Sequence, residues 1–437
     1  MWSSINRVNT RFHAVCHCGF MLFFQRQPRG GRNPLANPAG STQKVGVNTS
    51  RQIPFLLATI LGLGLSLCAC RTAPSTGDSA QPKVVRPIDS RLTVAASQFT
   101  NAADGSWATG EVAPEFAFDE LIYSWHLRVR AGEGFRLYLR VRAESGDYSP
   151  WLYGGCWGKV KQVGKRQEPV FKWGKVAMDQ LLLKCKARTF QFSIVDEGDS
   201  TLSGPPSFTV VATDNSPTPA LAQRYMSKRA ASATPALILD LPLRRQADSK
   251  GTPIPDRCQS AALATAMQYF DKPVGLEDIV PLTYDVEYDY PGIWPRTIGA
   301  GIQFGFEAYI DRFRDWDYVR KTVAENKVIL CSIKMLPGQY KAPPYPKIGG
   351  HIVALNGVTD DGRVIVTDSA LWKKNRGYCL QWYKEDFEKV WMKTKGGVGM
   401  VICPPPQAQR KLIKDLPPFP LDRLKSAAPA AGKGASQ

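Results

Sequence analysis

The stretch from Gly350 to Asp368 reads GHIVALNGVTDDGRVIVTD and predicts a β-hairpin. The apolar run HIVALNGVT forms the first strand, Asp361-Gly362 signals a tight turn, and RVIVTD forms the returning strand. Because the two ends of a hairpin are neighbours, we expect His351 to lie beside Asp368. A carboxylate in that position can orient an imidazole ring and stabilise its charged form.

A cysteine upstream of this hairpin is a candidate nucleophile. The residues after Cys258, QSAALATAMQYF, carry Ala, Leu and Met at helical spacing with no breaker, which places Cys258 at or just before a helix start. A helix N-terminus and a neighbouring imidazolium both favour the reactive thiolate. His351 is the only histidine in the C-terminal half, since the nearest other one is His126. The sequence therefore predicts Cys258 as nucleophile, His351 as base and Asp368 as the orienting group.

Each of these three residues also has an ordinary structural explanation. A cysteine is often a small buried apolar residue, a strand-end histidine can bond to backbone, and an aspartate often starts a turn. Their joint placement favours a catalytic set over three unrelated residues.

These residues resemble the C39-like cysteine peptidases, a papain-fold family whose members are often exported. The family pattern is a Gln, a Cys opening a helix that ends in an aromatic pair, and much later a Gly-His, an apolar hairpin and an Asp or Asn. The corresponding positions in this chain are Gln246, Cys258, Tyr269-Phe270, Gly350-His351 and Asp368. The resemblance covers roughly residues 237–403.

The resemblance implies an α+β papain-like domain in which a Gln and a backbone N–H stabilise the oxyanion. Gln246, with the Cys258 backbone N–H as second donor, is the predicted oxyanion residue, and Gln259 is the other amide nearby. The chain departs from the family at two points. Cys258 is followed by Gln259-Ser260 instead of Gly-Pro or a similar small residue, and Gln246 lies farther from the cysteine than the family's Gln often does.

Two loops flank these residues in sequence, and each offers an aromatic side chain as a substrate contact. Trp294 lies in TYDVEYDYPGIWP, and Tyr345 lies in MLPGQYKAPPYPK. Loops placed in this way commonly wall the cleft of such folds, and plain loop packing explains both residues equally well.

The N-terminal region carries an export signal. The apolar run Ile53–Leu67 follows Arg51 and is too short for a comfortable membrane span, which is typical of a secretory signal. It ends in Leu67-Cys68-Ala69-Cys70, which resembles the bacterial lipobox and implies that Cys70 is lipidated. An ordinary signal peptide and an uncleaved anchor are the alternatives. We therefore expect an exported chain that is lipid-anchored to the bacterial cell envelope, on the periplasmic side or at the cell surface.

Short alternating runs between Leu92 and Asp214 predict a β-sandwich. In FRLYLRVRAES, which begins at Phe135, apolar and polar residues alternate as in a strand with one wet face. The aromatic cluster Tyr148–Gly158 could stack on sugar rings, although core packing is the more economical explanation. Cys156 and Cys185 could form a disulfide in the oxidising compartment that export implies.

The sequence divides by composition into six segments. They are an export segment whose start could be over-extended (1–70), a flexible tether (71–89), a β-sandwich domain (90–215), a linker (216–236), the C39-like peptidase domain (237–403) and a disordered Pro/Ala-rich tail (404–437). The predicted fold class is two-domain, with an N-terminal all-β sandwich-like domain followed by an α+β papain-like domain.

The formal net charge of +18 raises the question of a nucleic-acid partner. More than half of this excess lies in residues 1–70 and 404–437, and the remainder is spread out as on a solvated surface. We therefore predict no nucleic-acid partner. The chain has no Gly-rich phosphate loop and no second histidine near His351 for zinc, so we predict no metal and no cofactor.

The sequence favours an exported, membrane-anchored cysteine hydrolase that cleaves a peptide or isopeptide amide through Cys258, His351 and Asp368. The alternative is a non-catalytic cell-surface binding protein, with a degenerate papain-like scaffold and a β domain that binds a glycan or a protein. An acyltransferase with the same triad would differ only in its acceptor. The expected partners are a peptide or protein substrate, the membrane through the lipid anchor, and a glycan or cell-wall polymer on the β domain.

Overall fold

The computed structural model describes residues 85–419, except 103, 162–163, 166–167, 230–233, 339 and 372–375. The predicted export segment, the lipidation site Cys70 and most of the predicted tether lie outside the described residues. In the described part of the chain, no helix is both long and apolar enough to span a bilayer.

The first half of the described chain is a ten-stranded antiparallel sheet. Its strands are β1 (Ile88–Val94), β2 (Phe99–Asn101), β3 (Trp107–Thr109), β4 (Phe118–His126), β5 (Gly134–Ala143), β6 (Leu152–Gly158), β7 (Val170–Phe171), β8 (Gly174–Ala177), β9 (Gln180–Asp196) and β10 (Ser207–Asp214). The main order is β1-β10-β4-β9-β3-β2, with β5 and β8 also on β9, β6 on β5, and β7 on β8. We call residues 88–214 the β-rich half.

The long strand β9 links two parts of the ten-stranded sheet. The first part of the long strand β9 pairs with β4, and its second part pairs with β5. Trp125 of β4 contacts Phe135 of β5 and Trp157 of β6, each with ring centroids 6.1 Å apart, although β4 pairs with neither strand. Aromatic side chains therefore fill the space between β4 and these two strands.

Strand β5 departs from the predicted pattern in which apolar residues face the core and polar residues face solvent. The apolar set predicted to face the core is fully buried, as its members Phe135, Leu137, Leu139 and Val141 show. Arg136, which the alternation assigns to the wet face, is also fully buried, because its guanidinium donates to the Glu287 carboxylate of the C-terminal half at 2.6 Å. The second face of this strand is covered by protein at that point.

The aromatic cluster that begins at Tyr148 divides between surface and core. Tyr148 and Trp151 are exposed, and the Arg140 guanidinium lies over both rings at 4.7 and 4.6 Å. Trp157 is buried. Core packing therefore explains Trp157, whereas the other two rings remain on the surface.

The possible disulfide is not formed. Cys156 is buried in β6, with the Arg296 guanidinium 3.9 Å from its sulfur, and Cys185 is an exposed residue of β9. Both are free thiols, because Cys156 lies in the protein interior whereas Cys185 lies on the surface.

The C-terminal half contains a six-stranded antiparallel sheet in the order β13-β18-β14-β15-β16-β17. Its strands are β13 (Ala308–Arg312), β14 (Val328–Ile333), β15 (His351–Val358), β16 (Arg363–Thr367), β17 (Leu380–Tyr383) and β18 (Val398–Ile402), and a two-stranded hairpin is formed by β11 (Tyr284–Asp285) and β12 (Tyr290–Pro291). The helices are α1 (Pro219–Arg229) before this half, then α2 (Cys258–Tyr269), α3 (Leu276–Thr283), α4 (Trp294–Gln303), α5 (Trp316–Ala324) and α6 (Lys384–Glu388), which a π-helical turn continues (Lys389–Lys393).

The predicted hairpin is the pair β15–β16, with an irregularity between Leu355 and Gly357. Gly357 has a φ of 155°, and a Cβ atom there would lie 2.1 Å from the Leu237 carbonyl oxygen. The segment that opens this half therefore passes directly over the hairpin. Glycine is required at this point so that the two backbones can approach.

The described residues 85–419 belong to one compact unit, and the buried side chains of the ten-stranded sheet continue into those of the six-stranded sheet. Buried ion pairs cross between the halves, including Arg136–Glu287, Arg312–Glu120 and Arg314–Asp89. The two predicted domains therefore share one hydrophobic core. In addition, charged side chains on the outer faces of the strands form ion pairs with residues of the other half.

The first part of the predicted disordered tail is docked. The backbone N–H of Ile413 donates to the Ile238 carbonyl at 2.9 Å, and the Asp240 N–H donates to the Lys411 carbonyl at 2.9 Å. The Phe419 ring contacts Tyr383 of the edge strand β17. Segment 404–419 thus packs on the C-terminal half, whereas 420–437 lie outside the described residues.

Candidate active site

Cys258 is the first residue of α2, as the sequence predicts. Helix α2 packs against β15, the strand that begins with His351. The backbone N–H groups of Ile352, Gln259 and Cys258 itself lie close enough to the Cys258 thiol to lower its pKa. The sulfur therefore lies beside the residue that follows His351, with three backbone donors near it.

His351 and Asp368 lie at the two open ends of the β15–β16 hairpin. The Nε2 atom of His351 is 2.8 Å from Oδ1 of Asp368, and the same oxygen accepts the Ala370 backbone N–H at 2.8 Å. An acceptor on Nε2 places the proton of the neutral ring on that nitrogen. Nδ1 is then the ring nitrogen that can take a proton from a thiol.

Gln246 lies between the segment that carries Cys258 and the segment that carries Asp368. Its Oε1 accepts the backbone N–H of Arg257 at 2.8 Å, and its Nε2 donates to Oγ of Ser369 at 3.1 Å. The other amide, Gln259, points elsewhere: its Nε2 donates to the Ile293 carbonyl at 3.1 Å. Gln246 thus touches the neighbours of both Cys258 and Asp368.

Burial dominates the acid–base properties of these three residues. It raises the pKa of the Cys258 thiol, against the lowering effect of the Ile352 and Gln259 N–H groups. It lowers the pKa of His351 to about 4 and raises the pKa of Asp368 to about 7. The expected thiolate–imidazolium pair is therefore disfavoured at rest, because a buried charge loses its hydration.

The two aromatic residues predicted as substrate contacts differ in their surroundings. The ring of Tyr345 lies edge-on to His351, with centroids 6.2 Å apart. Trp294 is buried as the first residue of α4, with the Lys395 ammonium 5.2 Å from its ring. Tyr345 thus lies next to His351, whereas Trp294 is packed in the protein interior.

A third aromatic residue near Cys258 was not singled out from the sequence. Tyr290 lies on β12 with 42% of its surface exposed. Its pKa is raised by burial of the hydroxyl and by the negative charge that develops on Cys258. The loop TYDVEYDYPGIWP marks this region in the sequence, but nothing local distinguishes Tyr290 from its neighbours.

The described residues contain no group of three or more His, Cys, Asp or Glu side chains arranged to hold a metal ion.

Residues 238–398 match the profile of the Peptidase_C39 like family. Among solved structures, the chain is similar to the peptidase domain of Streptococcus ComA, a bi-functional ABC transporter. The identity is 13%, the coverage is 34% of this chain and 93% of that one, and the TM-score is 0.25. No curated protein matches the chain.

Proposed function

Residues 238–398 belong to the Peptidase_C39 like family, and on this premise we propose that the chain is a cysteine peptidase with Cys258 as nucleophile, His351 as general base and acid, and Asp368 as the orienting carboxylate. The observation that carries the proposal is the hairpin geometry. It joins His351 Nε2 to Asp368 at 2.8 Å and leaves Nδ1 for the thiol, which lies against the backbone of Ile352.

The proposed reaction is hydrolysis of a peptide or isopeptide amide. The Cys258 proton passes to Nδ1 of His351 while the sulfur attacks the carbonyl carbon, and the carbonyl oxygen becomes an oxyanion. The C–N bond then breaks, and the imidazolium gives its proton to the leaving amine. Water attacks the thioester with His351 as base, which releases the acid and restores the thiol.

The oxyanion needs donors aimed at the position where its charge develops. We propose the Cys258 backbone N–H and the Gln246 side chain for this role. One N–H of the Gln246 amide is committed to Ser369 Oγ, and a primary amide has a second one. The bond from the Arg257 N–H to Gln246 Oε1 supports this assignment, because it fixes the amide next to the nucleophile.

We test the proposal by alkylating Cys258 with iodoacetamide between pH 6 and pH 9, followed by mass spectrometry of the tryptic peptides. The rate should rise with pH throughout this range, because burial raises the pKa of the thiol. The His351→Ala variant should react roughly 100-fold more slowly at pH 7, because general-base assistance is lost. Equal rates in the two proteins would contradict His351 as the base, and a plateau below pH 7 would indicate a preformed ion pair instead.

We further propose that the chain is exported and anchored to the cell envelope through a lipid on Cys70, which is supported by the sequence Leu67-Cys68-Ala69-Cys70 after an apolar run. Full-length protein expressed in bacteria with an alkyne-tagged fatty acid should incorporate the tag. The Cys70→Ala variant should lose it, and the matched Cys68→Ala variant should keep it. Labelling that survives in Cys70→Ala would contradict the anchor.

A further inference from the structure

A carboxylate of the β-rich half binds the start of helix α4, in the C-terminal half. Asp179 lies in the turn between β8 and β9, and only 7% of its surface is exposed. Its Oδ2 accepts the backbone N–H of Trp294 at 2.7 Å. Since Trp294 is the first residue of α4, the carboxylate satisfies an N–H that has no partner within the helix and lies at the positive end of the helix dipole.

The same junction continues to the nucleophile. The Ile293 carbonyl, one peptide bond before Trp294, accepts the Gln259 side-chain N–H at 3.1 Å in a buried contact. Gln259 follows Cys258 directly, and its backbone N–H bonds to the thiol. Two buried hydrogen bonds and one peptide unit therefore connect Asp179 to the residue beside the nucleophile.

The loop that precedes α4 is also held by the β-rich half. We call residues 285–293, between α3 and α4, the wall loop. Its Glu287 accepts hydrogen bonds from Arg136 and from the Tyr153 hydroxyl, and its Tyr288 ring lies 6.3 Å from the Tyr153 ring. Met178, next to Asp179, packs on the cluster that contains Tyr288 and Ile293. The wall loop thus contacts the β-rich half at several points along its length.

The charged and titratable groups that face Asp179 come from four other segments. Lys395, before β18, attracts it, and Glu168, before β7, repels it. Burial raises the pKa of the Tyr123 hydroxyl on β4 and of the Tyr290 hydroxyl on β12, and the negative charge of Asp179 raises both further. Tyr290 is also coupled to Cys258, so Asp179 and the nucleophile act on one side chain.

We infer that Asp179 is a positioning residue of the candidate peptidase site: by holding Trp294 and Ile293 it fixes Gln259 and the wall loop beside Cys258. The β-rich half is then part of the peptidase, not a separate binding module. This inference rests on the proposed function, because it assigns Asp179 a role only if Cys258 is the nucleophile.

The test compares two reagents on the full chain. Iodoacetamide is small and requires only a reactive thiol. A series of dipeptidyl acyloxymethyl ketones requires in addition a formed wall and an oriented carbonyl, before the sulfur displaces the carboxylate. In Asp179→Ala we expect the ketone rate to fall about tenfold or more, because displacement of a positioning group misaligns the electrophile. The iodoacetamide rate should change by less than about twofold, since the thiol and His351 are untouched.

Two further variants make the result specific. Asp179→Asn keeps an oxygen that accepts the Trp294 N–H, so it should restore the ketone rate to within about threefold of the unmodified protein. Asp89→Ala is the matched control. Asp89 is another buried carboxylate of the β-rich half, and it binds Arg314 beyond β13, three strands from β15. It should leave the ratio of the two rates unchanged.

The outcomes separate the two proposals. An unchanged ratio in Asp179→Ala, or an equal fall in both rates, would overturn the positioning role while His351-dependent alkylation in the unmodified protein still supported the peptidase. Failure of the unmodified protein to show that dependence would overturn the peptidase itself, and the positioning role with it.

Discussion

Cys258→Ser is expected to abolish amide hydrolysis, with a loss of roughly 10⁴-fold or more. The change replaces one atom at the start of α2, so the backbone donors of Ile352 and Gln259 remain in place. The hydroxyl is a far weaker nucleophile than the thiol, and it meets an imidazole whose pKa burial lowers to about 4. A base this weak cannot assist a serine efficiently. The measurement is cleavage of a diverse peptide library, followed by mass spectrometry of the products.

The matched control is Cys185→Ser, an exposed free cysteine on β9. This variant lacks an exposed thiol of the β-rich half, and it should cleave the library at the same rate as the unmodified protein. Activity that persists in Cys258→Ser, or that is lost in Cys185→Ser, would contradict the assignment of the nucleophile. If the unmodified protein cleaves no peptide although its thiol alkylates in a His351-dependent manner, a different acyl substrate is required.

Local patterns in the sequence predicted the hairpin and the helix that begins at Cys258. A short apolar run, an Asp-Gly turn and a return strand determine their own pairing, so the approach of His351 to Asp368 could be expected from residues only 17 apart in the chain. The helix start at Cys258 is equally local. The family profile over 238–398 confirms the resemblance that these positions suggested.

Contacts between the halves could not be predicted in this way. Arg136 was expected on a wet face because alternation describes a strand and one neighbouring layer, not the layer that covers its other side. The partners of Asp179 and Arg136 are 115 and 151 residues away in the chain. The raised pKa of the Cys258 thiol has the same origin, because desolvation depends on all the residues packed around the thiol.

Asp368→Ala is expected to lower hydrolysis by roughly 10³-fold. The carboxylate is fully buried and accepts both the His351 Nε2–H and the Ala370 N–H on Oδ1. Its removal leaves the imidazole free to rotate and to place its proton on Nδ1, the nitrogen that must accept the proton from Cys258. The expected loss is one of turnover, measured in the same library assay.

The Asp368→Asn variant makes this prediction more specific. Its Oδ1 can keep both hydrogen bonds, and its Nδ2 would occupy the place of Oδ2, which has no hydrogen-bond partner among the described residues. The tautomer should therefore survive, and we expect a loss of less than about tenfold. The missing negative charge should appear in the pH profile instead. Burial raises the pKa of Asp368 to about 7, so the carboxylate is neutral below that pH and ionised above it.

The ionised carboxylate stabilises the imidazolium that forms during attack, so the rate of the unmodified enzyme should rise as the pH passes through about 7. Asp368→Asn should lack the inflection near pH 7 that this carboxylate contributes and should keep only the rise due to the Cys258 thiol. Asp361→Asn, at an exposed position in the hairpin turn, is the control and should keep the inflection, because hydrogen bonds from Arg363 and Thr359 lower the pKa of Asp361. If Asp368→Asn is as inactive as Asp368→Ala, the charge itself is indispensable and orientation alone is insufficient. If Asp368→Ala retains full activity, Asp368 is not the third member of the catalytic set.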